Sequence, residues 1–257
     1  MSDSQFLQSN KGIFTDVDTQ KKEVDAYKLC ALTPKLAAQL IHETIGHPAE
    51  ADFILACRNQ SPFFIRTPLS KKITIIDYAH TALGKPCPLP IHKDDEGTPA
   101  KDVCIIRQGR RASAMTNLHT ATALNLPKTG NARAATPEDE PMVRMRNTAL
   151  LPGPDNPLEI LSSIQDGYYL TEPGNCYGDV NGDFACEIKK AFRIRNGQIC
   201  ETISDYIIWG RAIDFLQSIS MVGNDFEWFV DECTKWQTIK VAQGAPTIKA
   251  SFNIGVM

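Results

Sequence analysis

The chain has 257 residues, with 27 Lys and Arg against 30 Asp and Glu, a net charge of −3, 42% apolar residues and 22% charged residues. This length and balance describe one large globular domain or two small ones, able to bury a core without a staple. They exclude a nucleic-acid surface built on excess basic charge, and no apolar run reaches the roughly 18 residues that a membrane-spanning helix needs.

Residues 1–29 read as a polar arm ahead of a domain spanning 30–257. The arm is mixed in charge and has no apolar h-region, so it is no secretory signal. That predicts a cytoplasmic protein in which most of the eight cysteines are buried thiols. They are widely spaced, with no C-x-x-C pair, which argues against a four-cysteine metal knuckle.

"LTPKLAAQLIHETIGH" opens with a helix start: Thr33 as N-cap and Pro34 at the first helical position. Leu36, Leu40 and Ile41 recur at helical spacing. Pro48 disfavours helical geometry at His47, so the helix is predicted to end with this stretch.

His42-Glu43-Thr44-Ile45-Gly46-His47 is H-E-x-x-x-H. In the shorter H-E-x-x-H pattern the histidines lie roughly 40° apart around a helix; five residues apart puts them about 140° apart. A wide turn with i→i+5 hydrogen bonding would realign the rings, and Gly46 is the residue that permits an unusual backbone there. Glu43, beside a ligand rather than on the metal, is placed to take a proton from water. A catalytic zinc needs a third protein ligand. His80, His92, His119, the thiols and several carboxylates are all candidates, and spacing does not choose among them.

Downstream, "KKITIIDYA", "KDVCIIRQG", "DFACEIKKAFRIRNGQICETISDYIIWG" and "PTIKASFNIGV" have strand texture, with a hairpin turn at Asn196-Gly197. "PLEILSSIQ" and "RAIDFLQSISMVG" read as helices. Residues 125–157, rich in Pro, Gly, Asn and Asp, read as a long loop. Asp94-Asp95-Glu96-Gly97 lacks the alternating ligands of a calcium loop and reads as a solvated acidic turn, and "DVNGDF" likewise as a turn. The predicted class is α+β: a mainly antiparallel sheet with a few helices, one carrying the His-Glu-His stretch.

From about residue 30 onward, "LIHETIGHPAEAD", "HKDDEGTPAKDVCIIRQG", "LPKTGNARAA", "MVRMRNTALLPG", "NGDFACEIKKAFRIRNGQI" and "MVGNDFEW" occur in an order that resembles the catalytic C-terminal domain of the TldD/PmbA (TldD/TldE) metallopeptidase family. The resemblance implies zinc held by His42, His47 and a cysteine from a C-G-K-x-G-Q pattern. Here that stretch is "ECTKWQ", one residue shorter and without the glycines, so the implied third ligand is Cys233, with Lys235 and Gln237 kept. It implies Glu43 as general base, and places Asn131, Arg133, Arg144 and Asn147 in matching stretches, where they contact substrate or order the long loop.

The resemblance further implies a homodimer, or a heterodimer with a TldE-like subunit, and a groove for an extended peptide. Peptide hydrolysis is the leading expectation. The alternatives are N-deacetylation of a small acylated amine and a non-catalytic partner subunit. Neither nucleic acid nor a membrane is expected as a partner.

Overall fold

The computed structural model describes residues 24–57, 67–179 and 182–256. Residues 1–23 of the expected polar arm lie outside the described residues. The rest of that arm does not: strand β1, Val24–Leu32, already belongs to a sheet.

The fold rests on strands whose apolar residues alternate. In β17, Ile248–Val256, the side chains of Ile248, Ala250, Phe252 and Ile254 are buried, while Lys249, Ser251 and Asn253 face outward between them. β17 runs antiparallel to β1 on one side and to β13, Tyr206–Arg211, on the other. β13 pairs with β11, Asp183–Arg195, and β11 with β10, Asp166–Gly178. β10 returns in parallel to β1. The pairings therefore close a ring of strands, which removes the edges that an open sheet would expose. β12, Gln198–Ile203, folds back on β11 through the turn at Asn196 and Gly197, whose positive φ angles of 51° and 75° suit a two-residue hairpin.

A second, mixed sheet has the order β15-β16-β9-β2-β5-β6. Its strands are β2 Ile75–Tyr78, β5 Val103–Arg107, β6 Arg110–Arg111, β9 Asn147–Leu150, β15 Glu227–Lys235 and β16 Gln237–Ala245. Helix α1, Pro34–Ile41, packs against β10 of the ring and β16 of the second sheet. Both sides of α1 meet strand, so Leu36, Ala37, Ala38, Leu40 and Ile41 are all buried. Small alanines let the sheets come close while keeping helix propensity high. Thr33 is the N-cap by position, but its hydroxyl donates to the carbonyl of Thr171 rather than capping the helix. The predicted helices are found at Pro157–Ser162 and Ala212–Ser218. A further helix, Leu118–Leu124, opened by a capping box from Asn117 and Thr120, was not foreseen.

Other expectations change as well. Residues 125–157 are not one long loop: they contain β7, Ala132–Arg133, β8, Met142–Val143, and β9. What orders them is a buried charge pair that hydropathy does not reveal. Asp77 Oδ2 accepts from Arg146 Nε at 2.8 Å and from Asn131 Nδ2 at 2.8 Å, and Asp77 Oδ1 accepts from Arg146 N, Asn147 N and Thr148 Oγ1. Arg146 spends its other N–H groups on the carbonyls of Gly130 and Lys101.

The acidic turn is not simply solvated either. Asp94 is buried and accepts from the backbone of Glu96, Thr98 and Ala132. Its carboxylate braces the turn as a surrogate for missing backbone acceptors. Among the cysteines, most of which the sequence predicts as buried thiols, Cys176 and Cys186 face each other across β10 and β11 and are joined as a disulfide, and of the rest Cys30, Cys87 and Cys233 are buried. Six cysteines remain free.

Candidate metal centre

α1 does not stop at the His-Glu-His stretch; it widens. Residues His42–Gly46 form a π-helical turn in which the N–H of His47 bonds to the carbonyl of His42, the i→i+5 bond that this spacing requires. The extra residue in the turn brings the two imidazoles to a centroid distance of 4.7 Å, edge to face. His47 stays in right-handed helical geometry although Pro48 follows it, and His47–Ala49 form a 3₁₀ turn that stops at Glu50, whose extended angles separate it from α2, Ala51–Cys57. The steric restriction before proline is thus absorbed at His47, and the helical run ends at Ala49, just past the stretch where the sequence placed its end.

Gly46 has ordinary right-handed angles, φ −60° and ψ −63°. Its glycine is needed for a different reason: a Cβ there would collide with Sδ of Met145. Gly46→Ala should cost about 1–3 kcal/mol by overpacking. Chemical denaturation of the single variants and of the double variant with Met145→Ala measures it. A Gly46→Ala cost that Met145→Ala does not relieve contradicts this contact.

Strand β15 supplies the third group. Its alternation sends Cys233 and Lys235 inward, while Glu232 and Thr234 are exposed. Cys233 Sγ lies 3.2 Å from Nε2 of His42 and 3.3 Å from Nε2 of His47. Among the described residues, these three are the group of His, Cys, Asp and Glu whose donor atoms all fall within 4.8 Å of one another. Tetrahedral zinc with usual bond lengths separates sulfur from nitrogen by roughly 3.5 Å, so the set fits such an ion with a small outward adjustment. Burial pushes the Cys233 thiol up, but hydrogen bonds and charge from the two histidines outweigh it and hold it at about 5. A thiolate is the form that binds metal.

Glu43 sits on the same turn, partly buried. Burial raises its pKa, and the neighbouring histidines oppose that rise. Gly178 at the end of β10 approaches it closely: a Cβ there would lie 2.9 Å from the Glu43 carbonyl oxygen.

Behind the histidines is a buried network that sequence reasoning missed. Glu50 is fully buried; its Oε2 lies 3.2 Å from His47 Nδ1 and accepts from Lys235 Nζ at 2.8 Å, while its Oε1 accepts from Met145 N at 3.2 Å. Lys235 also donates to Asp52 and to the Val143 carbonyl, and lies 4.4 Å over the ring of Phe53. Burial alone would raise the Glu50 carboxyl, but Lys235 and His47 bring it down to about 2. The legible signal was a glutamate three residues after His47, on the same face of a helical turn.

Asn131, Arg144 and Asn147 are wholly buried and order the loop. Arg144 donates to the carbonyls of Cys233 and Gln237 at 2.6 and 2.9 Å, clamping the turn that carries the thiol. Trp236 at the apex of that turn has a positive φ of 55°, where the resembled pattern has glycine. Asn147 bonds to the carbonyls of Tyr78 and Leu89, and Asn131 to Asp77 and the Arg144 carbonyl. Arg133 is only partly buried, and its Nη1 donates to the Met145 carbonyl. His80 and His92 stack on each other at 4.9 Å, outside the three-residue group.

A sequence model described as the PmbA/TldA metallopeptidase C-terminal domain matches residues 28–255. The chain is 34% identical over 221 residues to a zinc metalloprotease TldD homolog of Saccharolobus solfataricus, covering 85% of this chain and 49% of that protein. It is 34% identical over 226 residues to a metalloprotease of Methanothermobacter thermautotrophicus, covering 84% and 47%. The chain therefore spans about half the length of the curated relatives it matches. Among solved structures, TldE from Thermococcus kodakarensis superposes with a TM-score of 0.71 at 19% identity, over 93% of this chain and 51% of that one. A proposed modulator of a DNA gyrase from Thermotoga maritima gives 0.71 at 21%, over 92% and 51%. At these identities the likeness is one of fold. Among the described residues, no helix is long and apolar enough to cross a membrane.

Proposed function

This chain belongs to the PmbA/TldA metallopeptidase family, and from that premise we propose that it is the metal-binding catalytic domain of a zinc-dependent amide-bond hydrolase acting on peptides. The observation that carries the reading is the convergence of His42, His47 and Cys233, from a helical turn and a strand 186 or more residues apart, with Cys233 Sγ within 3.3 Å of Nε2 of each histidine. His42, His47 and Cys233 would hold the ion through two imidazole nitrogens and one thiolate, leaving a formal charge of +1. Zinc bound there supplies Lewis-acid polarisation of the scissile carbonyl and acidifies water.

Glu43 accepts the proton of the attacking water at its carboxylate and returns it to the leaving amine nitrogen. Its raised pKa suits both halves of that transfer, because the carboxyl can hold the proton between them.

Strand order supports a peptide over a small acylated amine. β15 ends the second sheet, so among the described residues no strand pairs with its outer side. An extended peptide can pair with such an edge and bring one of its amides to the site. Arg133, the one partly exposed member of the four residues in the matching stretches, is the one we retain as a substrate contact.

The test is metal analysis of the purified protein followed by peptide and N-acetylated-amine assays, with the chain alone and with a TldE-like subunit. About one zinc per chain is expected, and Glu43→Gln should keep the metal while losing about 10²–10⁴ in rate. Full turnover by Glu43→Gln would falsify the base assignment. Cleavage of acetylated amines alone would favour a deacetylase, and bound zinc with no hydrolysis under either condition would favour a scaffold subunit.

A further inference from the structure

We propose that Glu50 is a positioning residue that fixes the ring orientation and tautomer of His47, presenting Nε2 to the metal; the inference rests on the zinc reading above. A neutral imidazole has one nitrogen that donates and one that accepts. Glu50 as a carboxylate only accepts, and its Oε2 faces Nδ1 at 3.2 Å. Once the ion is bound and His47 is neutral, its proton is therefore on Nδ1 and its lone pair on Nε2, the nitrogen on the Cys233 side.

Glu50 cannot turn away to serve another purpose. Three donors converge on its two oxygens: the His47 ring, the Lys235 ammonium and the Met145 amide. Lys235 is anchored in turn by Asp52 and by the Val143 carbonyl. Because Lys235 lies two residues from Cys233 on the same face of β15, one strand carries both a ligand and the cation that holds the ligand-orienting carboxylate. The loop His47, Cys233, Lys235, Glu50 closes on itself, so displacement of the strand and rotation of the ring are coupled.

The two histidines differ in this respect. His42 Nδ1 is buried with no hydrogen-bond partner among the described residues. Only His47 is held from behind, so loss of Glu50 should act on one ligand of the set.

Glu50→Gln is the informative change. A glutamine offers one acceptor and one amide donor, so at least one of the three converging donors meets another donor. The expected result is a 10- to 100-fold loss of zinc affinity by chelator competition, the size usual for removing a carboxylate behind a metal-bound histidine. The cobalt-substituted variant should show shifted ligand-field bands, and Glu50→Asp, which keeps the charge, should recover part of the affinity. The melting temperature of the metal-free forms is measured beside these. A lowered melting temperature with wild-type affinity and an unchanged cobalt spectrum would show that Glu50 only stabilises the fold, and would overturn the proposal.

Should Glu50→Gln fail to fold, the wild type decides. In zinc-loaded protein labelled with ¹⁵N-histidine, His47 should show a protonated Nδ1 in slow exchange with solvent, and an Nε2–H form would overturn the inference. Failure of the wild type to bind zinc through His42, His47 and Cys233 would instead defeat the proposed function, which separates the two.

Discussion

Asp77→Ala is expected to destabilise the protein by about 3–5 kcal/mol, the cost of removing one partner of a buried ion pair. The substitution leaves the Arg146 guanidinium in the interior without its carboxylate, and both groups are wholly buried. It also strips acceptors from the Asn131 side chain, two backbone amides and the Thr148 hydroxyl. Each buried donor left unsatisfied adds a desolvation cost. For a domain of this size the melting temperature should fall by about 10 °C. Thermal unfolding followed by circular dichroism measures it, and a loss smaller than about 1 kcal/mol would contradict the role of Asp77 as the hub of the 125–157 segment. The same variant should loosen the candidate site, because Arg144, which holds the Cys233 carbonyl, lies in that segment.

The second large effect is expected from Cys233→Ala. With three protein ligands proposed, losing the only thiolate removes the strongest donor and the negative charge that offsets the ion. Zinc affinity should drop well beyond the roughly 100-fold that marks the upper end for residues behind the ligands. Cys200→Ala is the control, since Cys200 is exposed and its thiol donates to the Gln198 carbonyl, away from the two histidines. Zinc content and chelator competition on both variants make the comparison. Equal zinc retention by Cys233→Ala and Cys200→Ala would remove Cys233 from the ligand set. Metal-free wild type offers a second reading of the same site: with its thiol held at about 5 by the two histidines, Cys233 should react with an alkylating reagent as a thiolate at neutral pH. Zinc loading should then slow its alkylation.

Much of the candidate site could be read from the chain because its geometry is local. H-E-x-x-x-H demands a turn wider than an α-helix, and the demand is met within five residues by the His42–Gly46 π turn. Cys233 as the proposed third ligand rests on something wider, since eight thiols and several carboxylates satisfy the chemistry equally well and only the order of whole stretches resembles a known family. Arg144 and Asn147 illustrate the limit. Their stretches matched, yet a match says nothing about whether a side chain faces a groove or the interior, and both proved fully buried. Gly46 illustrates a subtler one: the glycine was noticed, but its reason is the sulfur of Met145, distant in sequence and invisible to backbone propensity.

By itself the sequence determined what depends on neighbours along the chain. Pro34 starts a helix, apolar alternation makes β17 a half-buried strand, and Asn196-Gly197 turns a hairpin, because hydrogen bonding and side-chain period act over a few residues. Tertiary structure alone decided which distant groups share one space. Cys233 meets His42 across 191 positions, and Lys235 meets Glu50 across 185. A buried charge is tolerable only where a partner waits for it, and that partner's place is set by how the two sheets close on α1 rather than by any local preference. For the same reason the segment 125–157 reads as loop: its order comes from Asp77, on the neighbouring strand β2 that is distant in sequence, whose carboxylate supplies the acceptors that the segment's own backbone could not provide.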